Sequence, residues 1–289
     1  VAASILLGHG PSLVVFGPDS RSLVGLGLGG QPDAARLWRL EAVGTTTLNL
    51  VTSAATPRAP RAPRAPGAVA FSPDGGTLAV SGDTGLSLLD AATLRTIRSV
   101  AAPPGASGGP VYRPDGKVLA VGGAPGYLGG GSVGGAVCLL DAATLDTITR
   151  QSGPVPGAYS LAFSPDGRTL ALTGYGKGVG GIVRLLDAVS LRTVAAGVLP
   201  GGTGVTAAAA AGFTPDGTVL AGYSVAGDAM AWLLQISTMK IITGAQVGTT
   251  GDVTGLAVDL SADGKTLMAA YTSKQAQAGR ALLYQIEPA

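Results

Sequence analysis

Histidine and cysteine each occur once in the 289 residues, as His9 and Cys138; asparagine occurs once, as Asn49, and glutamate twice, as Glu41 and Glu287. That poverty argues against a multi-histidine zinc site, a thiolate metal cluster or a cysteine–histidine nucleophile, and a single thiol excludes an intrachain disulfide. No catalytic, cofactor or metal residue is therefore assigned. Cys138, inside the apolar run Val137-Cys138-Leu139-Leu140, reads as a buried core thiol. His9 has no nucleophile-elbow motif beside it and reads as a loop histidine capping backbone.

Charge is also scarce. Charged residues make up 12% of the chain and the net charge is +2, which the three arginines of one segment, Arg58, Arg61 and Arg64, exceed by themselves. Without a general basic field, a nucleic-acid partner is not expected. Aromatics are only 4%, so Val, Leu, Ile and Ala must fill any core. Every apolar stretch falls short of the ~18 residues a membrane span needs; Val1 to Leu7 also lacks a charged lead, and the expectation is a soluble domain.

Glycine is abundant, at 47 residues, as is proline at 19, beside an apolar fraction of 46%. Many turns around a real core fit that balance, and intrinsic disorder does not. The organising signal is a repeat. Phe16-Gly-Pro-Asp-Ser-Arg-Ser-Leu23, Phe71-Ser-Pro-Asp-Gly-Gly-Thr-Leu78, Tyr112-Arg-Pro-Asp-Gly-Lys-Val-Leu119, Phe163-Ser-Pro-Asp-Gly-Arg-Thr-Leu170, Phe213-Thr-Pro-Asp-Gly-Thr-Val-Leu220 and Leu260-Ser-Ala-Asp-Gly-Lys-Thr-Leu267 are six copies of one unit. Their aspartates, Asp19, Asp74, Asp115, Asp166, Asp216 and Asp263, are 55, 41, 51, 50 and 47 residues apart. Such a period marks a repeat architecture.

Within a unit, apolar residues lead into the Pro-Asp-Gly turn and a second apolar run leaves it, which predicts a β-hairpin. A third run ends in Leu89-Asp90, Leu140-Asp141 or Leu186-Asp187, and the segments Asp90 to Ile97, Asp141 to Ile148 and Asp187 to Val194 supply a turn and a fourth strand. Ala207 to Ala211 has high helix propensity but directly precedes Phe213, so it is read as a strand. Four antiparallel strands per unit describe a propeller blade.

The pattern resembles the WD-repeat and YVTN-type β-propeller families over nearly the whole chain. The Trp-Asp ending of a WD repeat is replaced by Leu-Asp in three units, by Trp38-Arg39 in the first and by Leu234-Gln235 in the fifth, and Gly8-His9 alone keeps the Gly-His pair; the likeness therefore leans toward the YVTN-type group. The fold expected is all-β, a six-bladed propeller forming one domain over 1–289, with a Pro/Arg-rich inter-blade loop at 56–67. The last unit stops at its third strand, Ala281 to Ile286, and Ala3 to Leu7 precedes the first unit as an orphan strand. Pairing the two would close the ring and remove an exposed edge.

Candidate binding residues follow from that frame. Long loops between second and third strands vary in length, and Tyr127, Tyr175, Tyr223 and Tyr271 lie at or near them, with Lys177 and Lys274; Tyr presents an apolar body and a polar tip to a partner. The Gly-rich loops at 129–135 and 174–181 mimic a dinucleotide fingerprint, but no helix follows to hold phosphate. Asp259 stands where the other units carry Val15, Ala70, Val111, Ala162 or Gly212, a position facing a central channel. In Pro57 to Pro66 the three-residue period matches a polyproline II turn and sets Arg58, Arg61 and Arg64 about 9 Å apart on one side, suited to an acidic partner. The leading expectation is a non-catalytic scaffold or sensor module with a protein partner on its loop face. A small-molecule or carbohydrate binder at the channel mouth, and an enzyme of hydrolase or oxidoreductase type implied by the YVTN likeness, are the alternatives.

Overall fold

The computed structural model describes residues 11–16, 18, 22–27, 35–43, 47–55, 66–82, 85–103, 109–123, 135–155, 158–176, 180–199, 207–226, 228–249, 253–261, 263–273 and 278–286. Among the described residues all regular structure is β: 23 strands in five four-stranded sheets and one three-stranded sheet, each sheet ordered as its strands follow in the chain. The chain divides into two compact units, Val1–Val121 with Tyr127–Gly130 and Cys138–Ile148, and Thr149–Ala289 with Gly122–Gly126 and Gly131–Val137.

The first unit contains a sheet of β1 (Pro11–Phe16), β2 (Ser22–Gly27), β3 (Ala35–Val43) and β4 (Thr47–Ala55), and a sheet of β5 (Pro66–Phe71), β6 (Thr77–Gly82), β7 (Gly85–Asp90) and β8 (Thr96–Val100). It also holds most of a third, made of β9 (Pro110–Tyr112), β10 (Val118–Gly122), β11 (Gly135–Asp141) and β12 (Thr147–Val155). In the second unit are β13 (Ala158–Phe163) to β16 (Thr193–Val198), with β14 (Thr169–Gly176) and β15 (Gly180–Asp187) between them, and then β17 (Ala207–Phe213), β18 (Val219–Ala226), β19 (Asp228–Gln235) and β20 (Lys240–Thr249). The last sheet is β21 (Val253–Leu260), β22 (Thr266–Ser273) and β23 (Ala278–Gln285). The sequence-predicted partner for its open edge, Ala3 to Leu7, lies outside the described residues.

Strand chemistry matches position in the sheet. The third strand of the β9–β12 sheet is buried on both faces along an unbroken apolar run, Val137-Cys138-Leu139-Leu140, every one of which is buried. Fourth strands are more exposed: Thr96 and Ile97 of β8 and Thr193 and Val194 of β16 are exposed in succession, and Ile97, Val194 and Ile242 hold apolar side chains in water. Ala207 to Ala210 pairs residue for residue with Val225 to Gly222 of β18, so the alanine run is a strand despite its helix propensity.

Sheets pack through a repeated pairing of faces. Ala221 and Leu233 of one sheet cluster with Leu267 and Ala269 of the next, and Ala79 and Leu88 cluster in the same way with Leu119 and Leu140. Alanine at 79, 171 and 221 is fully buried, and its small side chain lets the following sheet approach.

Candidate functional site

The Pro-Asp-Gly turns are where the repeat concentrates its polar chemistry. In the second unit of the repeat, Ser72 N–H donates to the Thr77 carbonyl at 2.9 Å, Gly75 N–H donates to the Ser72 carbonyl at 2.8 Å, and Gly76 N–H donates to Asp74 Oδ1 at 3.0 Å. The Ser72 hydroxyl donates to the same Asp74 carboxylate and accepts Thr77 N–H at 2.9 Å. Ser164 with Asp166, Thr214 with Asp216 and Ser261 with Asp263 repeat the arrangement. Where Arg113 replaces the hydroxyl residue, its guanidinium grips Asp115 with two bonds of 3.0 and 2.7 Å. The glycines sit at φ between 68° and 73°, a region that residues with a Cβ enter at a cost.

A second set of turns joins third to fourth strands. Asp90 Oδ1 accepts from Thr93 N–H at 2.8 Å and from its hydroxyl at 2.6 Å, and Asp187 does the same with Ser190 at 2.8 and 2.7 Å. Asp141 accepts from the Thr144 and Ala143 amides. Leu94, Leu145, Leu191 and Met239 close these turns with φ of 56°, 59°, 57° and 53°. The three leucines are nonetheless buried. Sequence reasoning missed these residues because positive φ is expected of glycine or asparagine. The signal that finds them is the repeated leucine after Thr or Ser, three residues beyond the Ala-Ala or Ala-Val start of each turn.

Hydrogen bonds hold all eight of these carboxyls below the ordinary aspartate range. For Asp74, Asp166, Asp216 and Asp263 the largest cause is the neighbouring Ser or Thr hydroxyl, for Asp115 it is Arg113, for Asp90 the Thr93 hydroxyl, and for Asp141 and Asp187 the backbone amides of Thr144 and Ser190. Groups so held are anions at neutral pH and suit turn construction rather than proton transfer. Among the described residues no three His, Cys, Asp or Glu side chains gather as a metal site. No helix among them is long and apolar enough to cross a membrane.

The described members of the sequence-selected binding set lie on three different sheets. Arg58, Arg61, Arg64, Tyr127, Lys177 and Lys274 lie outside the described residues. Tyr175 is on β14 opposite Gly181, and Tyr271 on β22 between Leu256 and Arg280. Tyr223 is within β18, opposite Ala209 and Ala231; it is half-buried, and that burial raises its phenol above the usual range. Asp259 is on β21 opposite Met268, which in turn faces Leu283 across β22 and β23.

That row is distinctive. The equivalent rows read Ala70, Ala79 and Leu88 in one sheet, Ala162, Ala171 and Leu185 in another, and Gly212, Ala221 and Leu233 in a third. The leucines there are at most 4% exposed, whereas Leu283 is 68% and Met268 39% exposed. Asp259 thus puts a carboxylate where the other three rows have alanine or glycine.

A groove of about 730 Å³ opens in the second unit where the β17–β20 sheet meets the last sheet. Leu233, Ile242 and Thr243 form one wall, and Gln285 and Ile286 the other. Asp216, Asp263 and Lys265 bring charge to its rim.

No family model matches the chain, and no curated protein does. Among solved structures it is similar to hydrazine synthase of Kuenenia stuttgartiensis, with a TM-score of 0.69 and 18% identity, over 92% of this chain and 77% of that one. At that identity the likeness is one of fold alone: a propeller-like set of four-stranded antiparallel sheets.

Proposed function

We propose that the chain is a six-bladed propeller, its last sheet completed by Ala3 to Leu7, acting as a non-catalytic recognition module with a protein partner on the loop face, engaged by Tyr127 and by the strand residues Tyr175, Tyr223 and Tyr271 near it. The observation that carries this reading is the fate of the repeat's carboxylates. Each of the eight described turn aspartates is spent on its own turn's amides and hydroxyls, or on Arg113, so the recurrent polar residues build the scaffold and recognition is left to the variable loops. The three arginines at 58, 61 and 64 add a cationic ruler for an acidic partner. Hydrazine synthase is named for an activity, but fold likeness carries no activity to this chain.

A small-molecule reading has one observation in its favour, the carboxylate of Asp259 in a row that elsewhere has alanine or glycine. Partner capture on the immobilised full chain, followed by titration of the captured protein, separates the two. The recognition reading expects saturable binding that Tyr175→Ala and Tyr271→Ala weaken about tenfold, roughly the loss of an interface anchor, while Asp259→Asn leaves it unchanged. Binding indifferent to every loop substitution contradicts it.

A further inference from the structure

The strand β16 (Thr193–Val198) ends its sheet, and among the described residues no strand lies on its outer side. An open edge displays unpaired N–H and C=O groups to any other chain, and natural sheets guard it with a bulge or a charge. Both guards occur here. The ladder between third and fourth strands skips Ile97 in β8, Val194 in β16 and Ile242 in β20, one bulged residue in each. A charge is added by Arg98 in β8, by Arg150 in β12 and by Lys240 in β20, whose register shifts again beside Ala229. β16 has neither charge nor proline, and beyond Val194 its register with β15 runs unbroken over Ala195 to Val198.

One bond orients the backbone of this edge. Leu199 N–H donates to the Gly181 carbonyl at 2.8 Å, and alternation along an antiparallel ladder turns the amides of Ala195 and Gly197 inward with it and those of Ala196 and Val198 outward. The two side-chain faces differ as well. Gly197 is crowded, since a Cβ there falls 3.3 Å from the Met239 carbonyl oxygen, and Ala195 is half-buried. On the other face Val194, Ala196 and Val198 are exposed, the two valines at 69% and 61%. A strand added at this edge therefore needs small residues on one face and has room for β-branched ones on the other.

We propose that β16 is a self-association edge, which pairs antiparallel with β16 of a second copy of the chain about a two-fold axis through Ala196. The strand meets its own requirement. That register sets Ala195 of each copy opposite Gly197 of the other on the crowded face, Val194 opposite Val198 on the open face, and Ala196 opposite itself with reciprocal N–H to C=O bonds. No charged residue meets its like within the pairing. Arg184, opposite Ala196 on β15, stays three strand spacings from its equivalent, about 14 Å, beyond the ~8 Å screening length of physiological salt. Facing valines supply the apolar contact that an edge holding lysine or arginine forgoes. A single strand edge is a small interface, so the dimer is weak and reversible. This inference does not rest on the loop-face reading.

The test is sedimentation of the full chain from about 10 μM to about 1 mM, with amide exchange followed by nuclear magnetic resonance on the same samples. A monomer–dimer equilibrium with Kd of about 0.1–1 mM is expected, the range of a small transient interface. Exchange at Ala196 and Val198 should slow about two- to fivefold at the highest concentration, as that Kd requires, while Ala195, Gly197 and Leu199 stay protected throughout. Ala196→Lys sets two ammonium groups against each other across the axis, and Val198→Pro removes an outward N–H that β15 does not use. Each is expected to raise Kd about tenfold or more, with the melting temperature of the dilute protein within about 2 °C of the parent. Ile97→Lys on β8 is the control and leaves Kd unchanged. Should a variant fail to fold, exchange in the parent still decides. A parent that is monomeric at the highest concentration, association that survives both β16 variants, unaltered exchange at 196 and 198, or growth beyond a dimer overturns the proposal.

Discussion

A Cβ on Gly264 would stand 2.6 Å from Pro215 Cδ, so the Asp263-Gly264 turn meets the Pro215-Asp216-Gly217 turn with no room for a methyl group. The neighbouring turns repeat the contact more loosely, Gly217 against Pro165 at 3.5 Å and Gly116 against Pro73 at 3.7 Å. All three glycines also hold positive φ. Gly116→Ala is expected to cost the left-handed penalty alone, about 1–2 kcal/mol, whereas Gly264→Ala adds a backbone shift and costs about 3 kcal/mol or more. Gly212→Ala is the control, because nothing lies within 4 Å of its Cβ position. Thermal melts should rank Gly264→Ala below Gly116→Ala and leave Gly212→Ala near the parent; equal losses at all three would refute the contact.

Leu191 combines full burial with φ of 57°. Leu191→Ala forfeits core packing, about 2–5 kcal/mol, and keeps the strained backbone. Leu191→Gly loses slightly more packing but relieves about 1 kcal/mol of strain. Chemical denaturation should therefore find glycine no worse than alanine at 191, and about 1 kcal/mol worse than alanine at Leu186, which is buried in β15 without positive φ. Glycine clearly worse than alanine at both positions would remove the strain argument.

The turn aspartates set the acid response. Their folded pKa values lie below the unfolded value of 3.8, so their contribution is present above that pH and is lost as pH falls through the folded values. Stability should be flat with respect to these groups from pH 5 to 8 and drop below about pH 4. In Asp166→Asn with Asp216→Asn the amide still accepts the turn bonds but does not titrate. The gap in melting temperature between parent and double variant should narrow as pH is lowered from 6 to 3, and a constant gap would contradict the linkage.

Much of this scaffold was legible in sequence because glycine, proline and aspartate report backbone geometry directly. Five of the six repeat copies contain Gly75, Gly116, Gly167, Gly217 or Gly264, and each of these has the positive φ its turn demands. Ala207 to Ala210 was placed correctly by its position before Phe213, since pairing with β18 outweighs the small helix preference of alanine. Leu94, Leu145 and Leu191 were opaque for the opposite reason: their burial overrides a backbone preference that sequence rules take as decisive. The groove beside Leu233 and Thr243 is invisible in sequence because it depends on the register of two sheets. Asp259 is legible in sequence because the aligned units carry apolar or small residues there, and the register confirms its place opposite Met268.

Substituting Arg58, Arg61 and Arg64 together by alanine should weaken binding of a polyanion such as heparin by roughly tenfold or more at 0.1 M salt and flatten its salt dependence, as loss of counterion release requires. The melting temperature should stay within about 1 °C, as for surface substitutions. Unchanged heparin affinity would reject the cationic ruler.

Hydrogen exchange at the β23 edge tests the closed six-sheet ring most directly. In the full chain, residues 279–285 should show protection at both alternating sets of amides, those bonded to β22 and those facing the added strand. In a chain lacking residues 1–7, the outward set should exchange within seconds while the inward set stays protected and the melting temperature falls. Identical exchange in the two chains, with the outward amides unprotected in both, would contradict closure by the N-terminal segment.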